Sequence, residues 1–218
     1  MRFRDRYEAG RLLATKLAVY ANRPDVLVLA LPRGGVPVAF EIARALGAPL
    51  DVFLVRKLGV PGHEKLAMGA ITTGGVRVLN QDVVGYLNLP GEVIDQVAAE
   101  EQQELERRER LYRGPLSAPE VRGRTVILVD DGLTTGSTLR AAAAALREQR
   151  PARLIVAIPV AAASTCNEFS TQVDECVCAA RSEPFYADGF WYEDFTQITD
   201  EEIGDLLARA AQPVRRVA

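Results

Sequence analysis

The segment from Val126 to Thr138 constrains the fold of this chain more than any other. It begins with four apolar residues, Val-Ile-Leu-Val, which are typical of a strand buried on both faces of a parallel sheet. Two adjacent carboxylates, Asp130 and Asp131, come next, and a loop of small residues leads into an alanine-rich helix from Ser137. Open α/β sheets bind ligands at the carboxyl ends of such strands. The segment therefore predicts an α/β fold and the place of its site.

The rest of the chain alternates strand and helix patterns, as α/β proteins do. Asp5 is a suitable N-cap for a first helix, Gly47 for a helix C-terminus, and Thr199 with Glu202 forms a capping-box pattern. We predict an open, mainly parallel sheet with helices on both faces. Strands are expected at 26–31, 51–55, 125–129, 153–159 and 175–179, helices at 5–20, 36–46, 90–113, 137–148 and from 199, and a hairpin at 68–72 and 76–79.

Composition narrows the classes of partner. The 218 residues are 48% hydrophobic and 25% charged, as in an ordinary soluble globular protein. The net charge of -3 supplies no basic field of the kind that gathers nucleic acid, so we expect no nucleic-acid partner. The first residues lack the apolar run of a signal peptide, and no later run approaches the roughly 20 apolar residues that span a bilayer. We expect a cytoplasmic protein without membrane contact.

The three cysteines, Cys166, Cys176 and Cys178, are an odd number clustered late in the chain. This argues against a disulfide framework, and we expect them to be small buried hydrophobic residues. A zinc site needs about four ligands. The single histidine, His63, is distant from the cysteines in the sequence, so we expect no zinc site.

The loop after Asp131 has the chemistry of a phosphate site. Free N–H groups and the positive end of a helix dipole favour an anion at a helix N-terminus. Glycines let the backbone approach the anion, and hydroxyl groups donate further hydrogen bonds. The residues concerned are Gly132, Leu133, Thr134, Thr135, Gly136, Ser137 and Thr138.

Other phosphate motifs do not match this loop. A P-loop has four residues between its glycines and a lysine after the second, whereas three separate Gly132 from Gly136 and a serine follows. A dinucleotide fingerprint requires three glycines. Two carboxylates beside a phosphate cradle suit a sugar phosphate, because its vicinal hydroxyls can donate to Asp130 and Asp131. We expect both carboxylates to face such a ligand rather than a structural partner.

These thirteen residues resemble the signature of the type I phosphoribosyltransferases, which is four apolar residues, two acids and a Gly/Thr-rich loop. The resemblance implies that the chain binds 5-phosphoribosyl 1-pyrophosphate (PRPP), with Asp130 and Asp131 as catalytic residues at the ribose. It implies transfer of the phosphoribosyl group to a nitrogen nucleophile with inversion, and Mg²⁺ held mainly by the substrate. The whole chain is similar to a bacterial group in this family whose acceptor is not assigned.

The resemblance also assigns a pyrophosphate loop. In the family this loop follows the first core strand, and Arg33, Gly34 and Gly35 occupy that place here. Arg56 and Lys57, at the end of the second strand, are further candidates to contact pyrophosphate, and Lys57 is the stronger of the two.

A mobile flap with a hairpin is the next feature that the resemblance implies. It corresponds to residues 58–79, of which 58–66 are expected to be a mobile loop rich in Pro and Gly. His63 and Lys65 in this loop are candidates to contact the donor after closure.

The acceptor is only partly constrained. Family enzymes that use hypoxanthine or guanine carry an aspartate where this chain has Thr134, and a lysine after the next strand, where it reads Ala157 to Ala161. A 6-oxopurine acceptor is therefore disfavoured. In the aromatic segment 181–195, Tyr186 and Trp191 either stack on a planar acceptor or anchor the segment to the core.

We predict a core at 1–180 and a C-terminal hood with a final helix at 181–218. The expected function is transfer from PRPP to an unidentified nucleobase or base-like heterocycle with release of pyrophosphate. Two alternatives stay open: a non-catalytic regulatory protein that senses PRPP, and a transferase that exchanges phosphate on a ribose bisphosphate. A homodimer also stays open.

Overall fold

A five-stranded parallel sheet forms the centre of the molecule. The computed structural model describes residues 2–132, 136–169, 171–182 and 188–212, with the backbone alone at 163–165, 181–182 and 188. The helices are α1 (Arg6–Lys16), α2 (Gly35–Leu46), α3 (Gln81–Tyr86), α4 (Gly91–Arg113), α5 (Ser137–Glu148), α6 (Ala163–Phe169) and α7 (Asp200–Ala210). The strands are β1 (Val26–Ala30), β2 (Leu50–Val52), β3 (Val55–Val60), β4 (His63–Thr72), β5 (Arg77–Leu79), β6 (Thr125–Val129), β7 (Arg153–Ala162) and β8 (Glu175–Ser182).

The main sheet has the strand order β2-β1-β6-β7-β8, and each neighbouring pair is parallel. β1 and β6 are buried along their whole length, because helices cover both faces of the sheet. Successive residues therefore enter opposite cores: Ile127 packs in the core that includes α1, α2 and α7, and Leu128 packs in the core that includes α5 and α6. The predicted fold class is confirmed.

Helix ends follow the predicted capping residues. The Asp5 side chain accepts a hydrogen bond from the Glu8 N–H, and Gly47 ends α2 in the left-handed conformation with φ 63°. Thr199 and Glu202 form the reciprocal capping box that starts α7. α7 then packs against α2 and α4. Short-range signals were sufficient at these positions because each cap satisfies backbone groups only three or four residues away.

A second, antiparallel sheet with the order β3-β4-β5 stands apart from the main one. The predicted hairpin is confirmed as β4 and β5, whose turn contains Gly74 and Gly75 at φ 85° and 75°. Residues 58–66 are not a loop as expected, because they pair in the β3–β4 hairpin and only Pro61 and Gly62 lie between its strands. The mobility of this segment stays a prediction. Pro fixes the first turn residue and Gly supplies the positive φ of the second, 78°.

Two helices were not anticipated, α3 and α6. β7 and β8 also extend further than expected, to Ala162 and Ser182. In the part of the chain that the structure describes, no helix is both long and apolar enough to cross a membrane.

The cysteines differ from the sequence expectation. Cys166 is buried in the core as expected, but its sulfur is joined to that of Cys178 as a disulfide. The Cys176 sulfur lies 3.9 Å from the Cys178 sulfur. Sequence spacing did not indicate this cluster, because α6 folds back over β8 only in the tertiary structure.

Candidate active site

The loops that follow β1 and β6 meet at the carboxyl edge of the main sheet. These strands are parallel neighbours, so both loops leave the sheet on the same side. A Cβ placed on Gly34 would overlap the carboxylate of Asp131, and one on Gly35 would lie 2.7 Å from the Val129 carbonyl oxygen. The structure thus brings the predicted pyrophosphate loop into direct contact with the predicted ribose carboxylates, and glycine is required for this approach.

Asp131 is held by residues from both ends of the chain. Its Oδ2 lies 2.8 Å from Arg6 Nε, and the two side chains are 16% and 8% exposed. The Tyr192 hydroxyl donates to the Asp131 carbonyl at 2.6 Å. The expectation that Asp131 has no structural partner is wrong, because a buried carboxylate beside a buried guanidinium pairs with it. Its part in ribose binding stays a prediction.

Arg6 is itself fixed on a second side. Its Nη1 donates to the Thr196 carbonyl at 2.9 Å, and its guanidinium carbon lies 3.9 Å from the centre of the Phe195 ring. Phe195 in turn stacks on Tyr192 at 5.1 Å between ring centres. The segment after residue 188 therefore orients the Arg6–Asp131 pair.

Asp130 has a different environment from its neighbour. Its Oδ1 accepts a hydrogen bond from the Asp131 N–H at 2.9 Å, and its own N–H lies 3.4 Å from the Ala157 carbonyl oxygen of β7. The residue is half-buried. The two acids lie at the same strand end but have different partners. Asp131 forms an ion pair with Arg6 of α1, whereas Asp130 accepts a hydrogen bond from the backbone N–H of Asp131.

Arginine side chains line a small cavity of about 50 Å³ beside the pyrophosphate loop. Its lining includes Arg33, Arg56 and Arg108 together with Tyr112 and Thr138. Arg33 comes from the loop after β1, Arg56 from β3, Arg108 from α4 and Thr138 from α5, so four separate segments meet here. A cluster of guanidinium groups beside a helix N-terminus suits a phosphate or pyrophosphate group.

Each of these arginines is paired with a carboxylate in the structure. Arg33 Nε lies 3.6 Å from Asp200 Oδ1, Arg56 Nη2 lies 2.6 Å from Glu101 Oε2, and Arg108 Nε lies 2.8 Å from Glu104 Oε1. All three pairs are partly exposed, and such pairs contribute only about 0–1 kcal/mol each. An incoming anion can therefore exchange with the carboxylates at small cost.

Tyr112 connects this cavity to α7. Its hydroxyl donates to Asp200 Oδ1 at 2.7 Å. Burial, followed by this hydrogen bond, raises the pKa of Tyr112 to about 12. The hydroxyl therefore stays protonated near neutral pH and continues to orient Asp200, the partner of Arg33.

Lys57 does not line the arginine-lined cavity, but it lines another cavity together with Ser137 and Thr138 at the start of α5. Its ammonium donates to the Glu64 carbonyl at 2.6 Å across the β3–β4 hairpin. Neighbouring residues on a strand point to opposite faces, so only one of Arg56 and Lys57 can reach the cavity. His63 and Lys65 are exposed on β4, near the tip of the same hairpin. The structure brings Arg56, and not these three residues, to the cavity.

This difference gives a first prediction. Arg56→Gln should weaken PRPP binding about tenfold or more, because a charged hydrogen bond to the leaving group is lost. Arg77→Gln is the matched control, because Arg77 pairs with Asp95 at 2.6 Å and does not line this cavity, and it should change affinity less than about threefold. Calorimetric titration with PRPP and Mg²⁺ measures both. An equal effect of the two variants would contradict the assignment of Arg56 to the leaving group.

The phosphate loop is described at its two ends. Gly132 is buried, Gly136 has φ 67° at the N-terminus of α5, and Ser137 and Thr138 begin the helix with exposed side chains. The loop residues Leu133, Thr134 and Thr135 lie outside the described residues. Helix α5 begins at Ser137, as the sequence predicts, and the role of the loop before it stays a prediction.

Gly136→Val should abolish binding of ribose 5-phosphate, because a β-branched side chain is strained at a positive φ and blocks backbone approach to the anion. Gly123→Val is a matched control, since Gly123 has φ 71° with open space around it, in the turn before β6. Both variants should lose similar stability, about 1–2 kcal/mol. Calorimetry and thermal unfolding separate the two effects, and undiminished binding by Gly136→Val would contradict the phosphate assignment.

Trp191 lies in a small core with Phe3, Ala9, Val160 and Tyr192, and is 8% exposed. Its carbonyl oxygen accepts a hydrogen bond from the Phe3 N–H at 2.8 Å. The structure therefore favours the anchoring role of Trp191 over stacking on an acceptor. Tyr186, the other candidate, lies outside the described residues.

Sequence reasoning missed Arg6, Arg108 and Tyr192. Arg6 contacts Asp131 across 125 positions, and Arg108 lies on a helix whose many charges are typical of a solvated face. No local pattern distinguishes either arginine from its charged neighbours. The only sequence signal for Tyr192 was the aromatic segment that contains it. That segment was predicted to bind the acceptor or anchor to the core, whereas Tyr192 contacts Asp131.

Comparison with known proteins relates this arrangement to others. Residues 5–188 match the family model described as phosphoribosyl transferase domain. A Mycobacterium tuberculosis protein, whose name gives phosphoribosyl transferase as a provisional assignment, is 46% identical over 209 residues, which are 95% of this chain and 47% of that protein. The chain spans about half the length of the curated relatives of this kind.

Two further proteins are similar to this chain over different fractions of its length. The bifunctional protein PyrR from Chloroflexus aurantiacus is 36% identical over 138 residues, which are 58% of this chain and 65% of that protein. A crystal structure of a protein from Thermus thermophilus is 40% identical and superposes with a TM-score of 0.85, covering 97% of this chain and 100% of that chain. The fold described above is thus found in a solved structure.

Proposed function

This chain belongs to the phosphoribosyl transferase domain family, and from that premise we propose that it transfers the phosphoribosyl group of PRPP to a nitrogenous acceptor with release of pyrophosphate. The observation that carries the proposal is the contact between Gly34 and the Asp131 carboxylate. This contact supports the proposal because it puts the acid proposed to bind ribose next to the loop proposed to bind pyrophosphate, and PRPP contains both groups.

The leaving group is the first part of the mechanism. As the bond from the anomeric carbon to the pyrophosphate oxygen breaks, negative charge grows on pyrophosphate. Backbone N–H groups near Gly34 and the guanidinium groups of Arg33, Arg56 and Arg108 would stabilise that charge once the bound pyrophosphate group has replaced the carboxylate partners of the arginines. Such stabilisation accelerates the reaction because it is stronger in the transition state than in the bound substrate.

The ribose is the second part. Its vicinal hydroxyls would donate to Asp130 and Asp131, whose negative charge also favours the cationic ring formed as the bond breaks. Arg6 approaches Asp131 through Oδ2, and a carboxylate has about four acceptor sites, so the ion pair leaves Asp131 able to accept from a hydroxyl. Arg6 would act as a positioning residue, because it orients Asp131 without contacting the substrate.

The residues present fit a magnesium ion bound mainly through substrate oxygens. Mg²⁺ prefers one or two carboxylates together with phosphate and water, and Asp130 and Asp131 offer such oxygens beside the arginine-lined cavity. When bound, Mg²⁺ would neutralise charge on pyrophosphate.

The acceptor is the third part of the mechanism. Its nitrogen would attack the anomeric carbon on the face opposite pyrophosphate, which inverts the configuration of that carbon. The nitrogen would then lose its proton to water after the new bond has formed.

A donor and acceptor screen tests the proposal. Purified protein is incubated with PRPP, Mg²⁺ and a library of nucleobases and related heterocycles, and pyrophosphate and phosphate are measured separately. We expect pyrophosphate release that depends on one acceptor and is lost in Asp130→Asn. PRPP binding without pyrophosphate release would instead support a PRPP sensor, and phosphate release from a ribose bisphosphate would support the other donor.

A further inference from the structure

All three cysteines of the chain meet at the edge of the main sheet. Cys176 and Cys178 are two residues apart on β8, so their side chains lie on the same face, and Cys166 reaches them from α6. The three sulfur atoms lie within 4.8 Å of one another. If the cysteines served only as separate small hydrophobic residues, nothing would require all three of them to lie together.

Two ordered elements hold this three-cysteine cluster. β8 pairs with β7 through Cys176 opposite Val156 and Cys178 opposite Ile158. Cys166 is 1% exposed, whereas Cys176 and Cys178 are half-buried. The sheet and α6 therefore hold the three cysteines, while the two on β8 keep part of their surface exposed to solvent. Water from that solvent would supply the further ligand of a bound ion.

We propose that Cys166, Cys176 and Cys178, in their reduced state, bind a thiophilic d¹⁰ metal ion such as Zn²⁺ through three thiolates. A tetrahedral zinc with bonds of about 2.3 Å to sulfur separates neighbouring sulfur atoms by about 3.8 Å. The 3.9 Å distance between the Cys176 and Cys178 sulfurs fits that geometry, and Cys166 would reach the same spacing once its bond to Cys178 is reduced. Thiolates select soft ions such as Zn²⁺ and Cu(I) over Mg²⁺, so this site is chemically distinct from the PRPP site.

Binding of Zn²⁺ would release three thiol protons, and water would complete the four ligands. The sequence-based rejection of a zinc site depended on finding four protein ligands near one another in the sequence. The structure supplies three that converge in space, which is the number found at zinc sites that keep a position open.

The disulfide between Cys166 and Cys178 is the competing state of the same cluster. Its formation removes two protons and two electrons, which an external disulfide oxidant would accept, and it leaves the cluster unable to offer three thiolates. The two states differ in their need for Cys176: the disulfide does not use it, whereas the metal site does. Cys176→Ser therefore separates them.

The experiment measures metal binding by the full chain after reduction and anaerobic removal of the reductant. Cd²⁺ is titrated and followed by thiolate charge-transfer absorption in the near ultraviolet, and Zn²⁺ affinity is measured by competition with a chromophoric chelator. We expect one equivalent to bind to the wild type. Cys176→Ser and Cys178→Ser should each lower affinity by at least about 100-fold, since even loss of an outer partner of a ligand costs 10–100-fold.

His63→Gln is the matched control, because it removes the single histidine, which is exposed on β4, and should leave metal affinity unchanged. The oxidised wild type should bind as weakly as the serine variants. Equal affinity of wild type and Cys176→Ser, or no charge-transfer band, would overturn the proposal and leave the cluster as a disulfide. Because the readout involves neither PRPP nor transfer, failure here is independent of failure of the proposed function.

Discussion

Asp130→Asn and Asp131→Asn should both lower turnover, by about 100-fold or more, and Asp131→Asn should also lower the free energy of unfolding. The loss of turnover follows from removing a negative charge that faces the cationic ribose in the transition state. Asp131 forms a buried ion pair with Arg6, and the two side chains are 16% and 8% exposed. Breaking a buried pair leaves an uncompensated charge.

We expect Asp131→Asn to cost about 2–3 kcal/mol of stability, because the amide oxygen still accepts a hydrogen bond from Arg6. Asp130→Asn removes one carboxylate from the site while the Arg6–Asp131 pair is kept. Urea unfolding gives the stability, and initial rates of pyrophosphate release give turnover. The comparison is informative because the two residues are neighbours at the end of one strand.

Asp51→Asn is a matched control outside the site. Asp51 Oδ1 lies 2.8 Å from Arg113 Nε, and the side chains are 16% and 4% exposed, close to the values of the Arg6–Asp131 pair. Asp51 is on the edge strand β2, so its variant should lose stability while keeping turnover. If Asp131→Asn, like Asp51→Asn, lost stability but kept turnover, the ribose assignment of Asp131 would be wrong.

Gly34→Ala should reduce PRPP binding and turnover below detection. A Cβ at this position overlaps the Asp131 carboxylate, so the pyrophosphate loop must move or the Arg6–Asp131 pair must break. Either change separates the groups that are proposed to hold pyrophosphate and ribose. Forcing one carbon into so close a contact also costs about 1–3 kcal/mol of stability.

Gly204→Ala is the control for this substitution. Gly204 lies within α7, and a Cβ there would have no atom within 4 Å, so alanine should be neutral or slightly stabilising in a helix. Calorimetry with PRPP and Mg²⁺, together with thermal unfolding, measures both variants. Unchanged PRPP affinity in a folded Gly34→Ala protein would show that the contact between these loops has no part in donor binding.

The arginine-lined cavity shows why the site could be located but not completed from the sequence. The strand end at Asp130, the glycines of the loop after β1 and the N-terminus of α5 were all predicted, since parallel strands place their carboxyl ends at one edge. Arg108 of α4 was not, because nothing in a heavily charged helix marks one arginine as different. The choice between Arg56 and Lys57 needed the direction in which each side chain leaves β3.

At the β3–β4 hairpin, the local sequence predicted the wrong secondary structure. The proline and glycine predicted a loop over 58–66, but the turn occupies only Pro61 and Gly62 and the flanking residues pair as strands. Their pairing depends on the partner strand and on packing of β3 against α4, neither of which a local pattern contains.

The sequence by itself determined the buried strand, the acid pair and the start of the helix within 126–138, and the caps of α1, α2 and α7. It could do so because hydrophobic periodicity and helix capping depend on residues only a few positions apart. Only the tertiary structure decided which distant residues meet there. Arg6 reaches Asp131, Gly34 makes room for the same carboxylate, and Cys166 reaches β8, each through chain segments that become neighbours after the sheet has formed. Contacts of this kind depend on packing, and packing has no period along the chain.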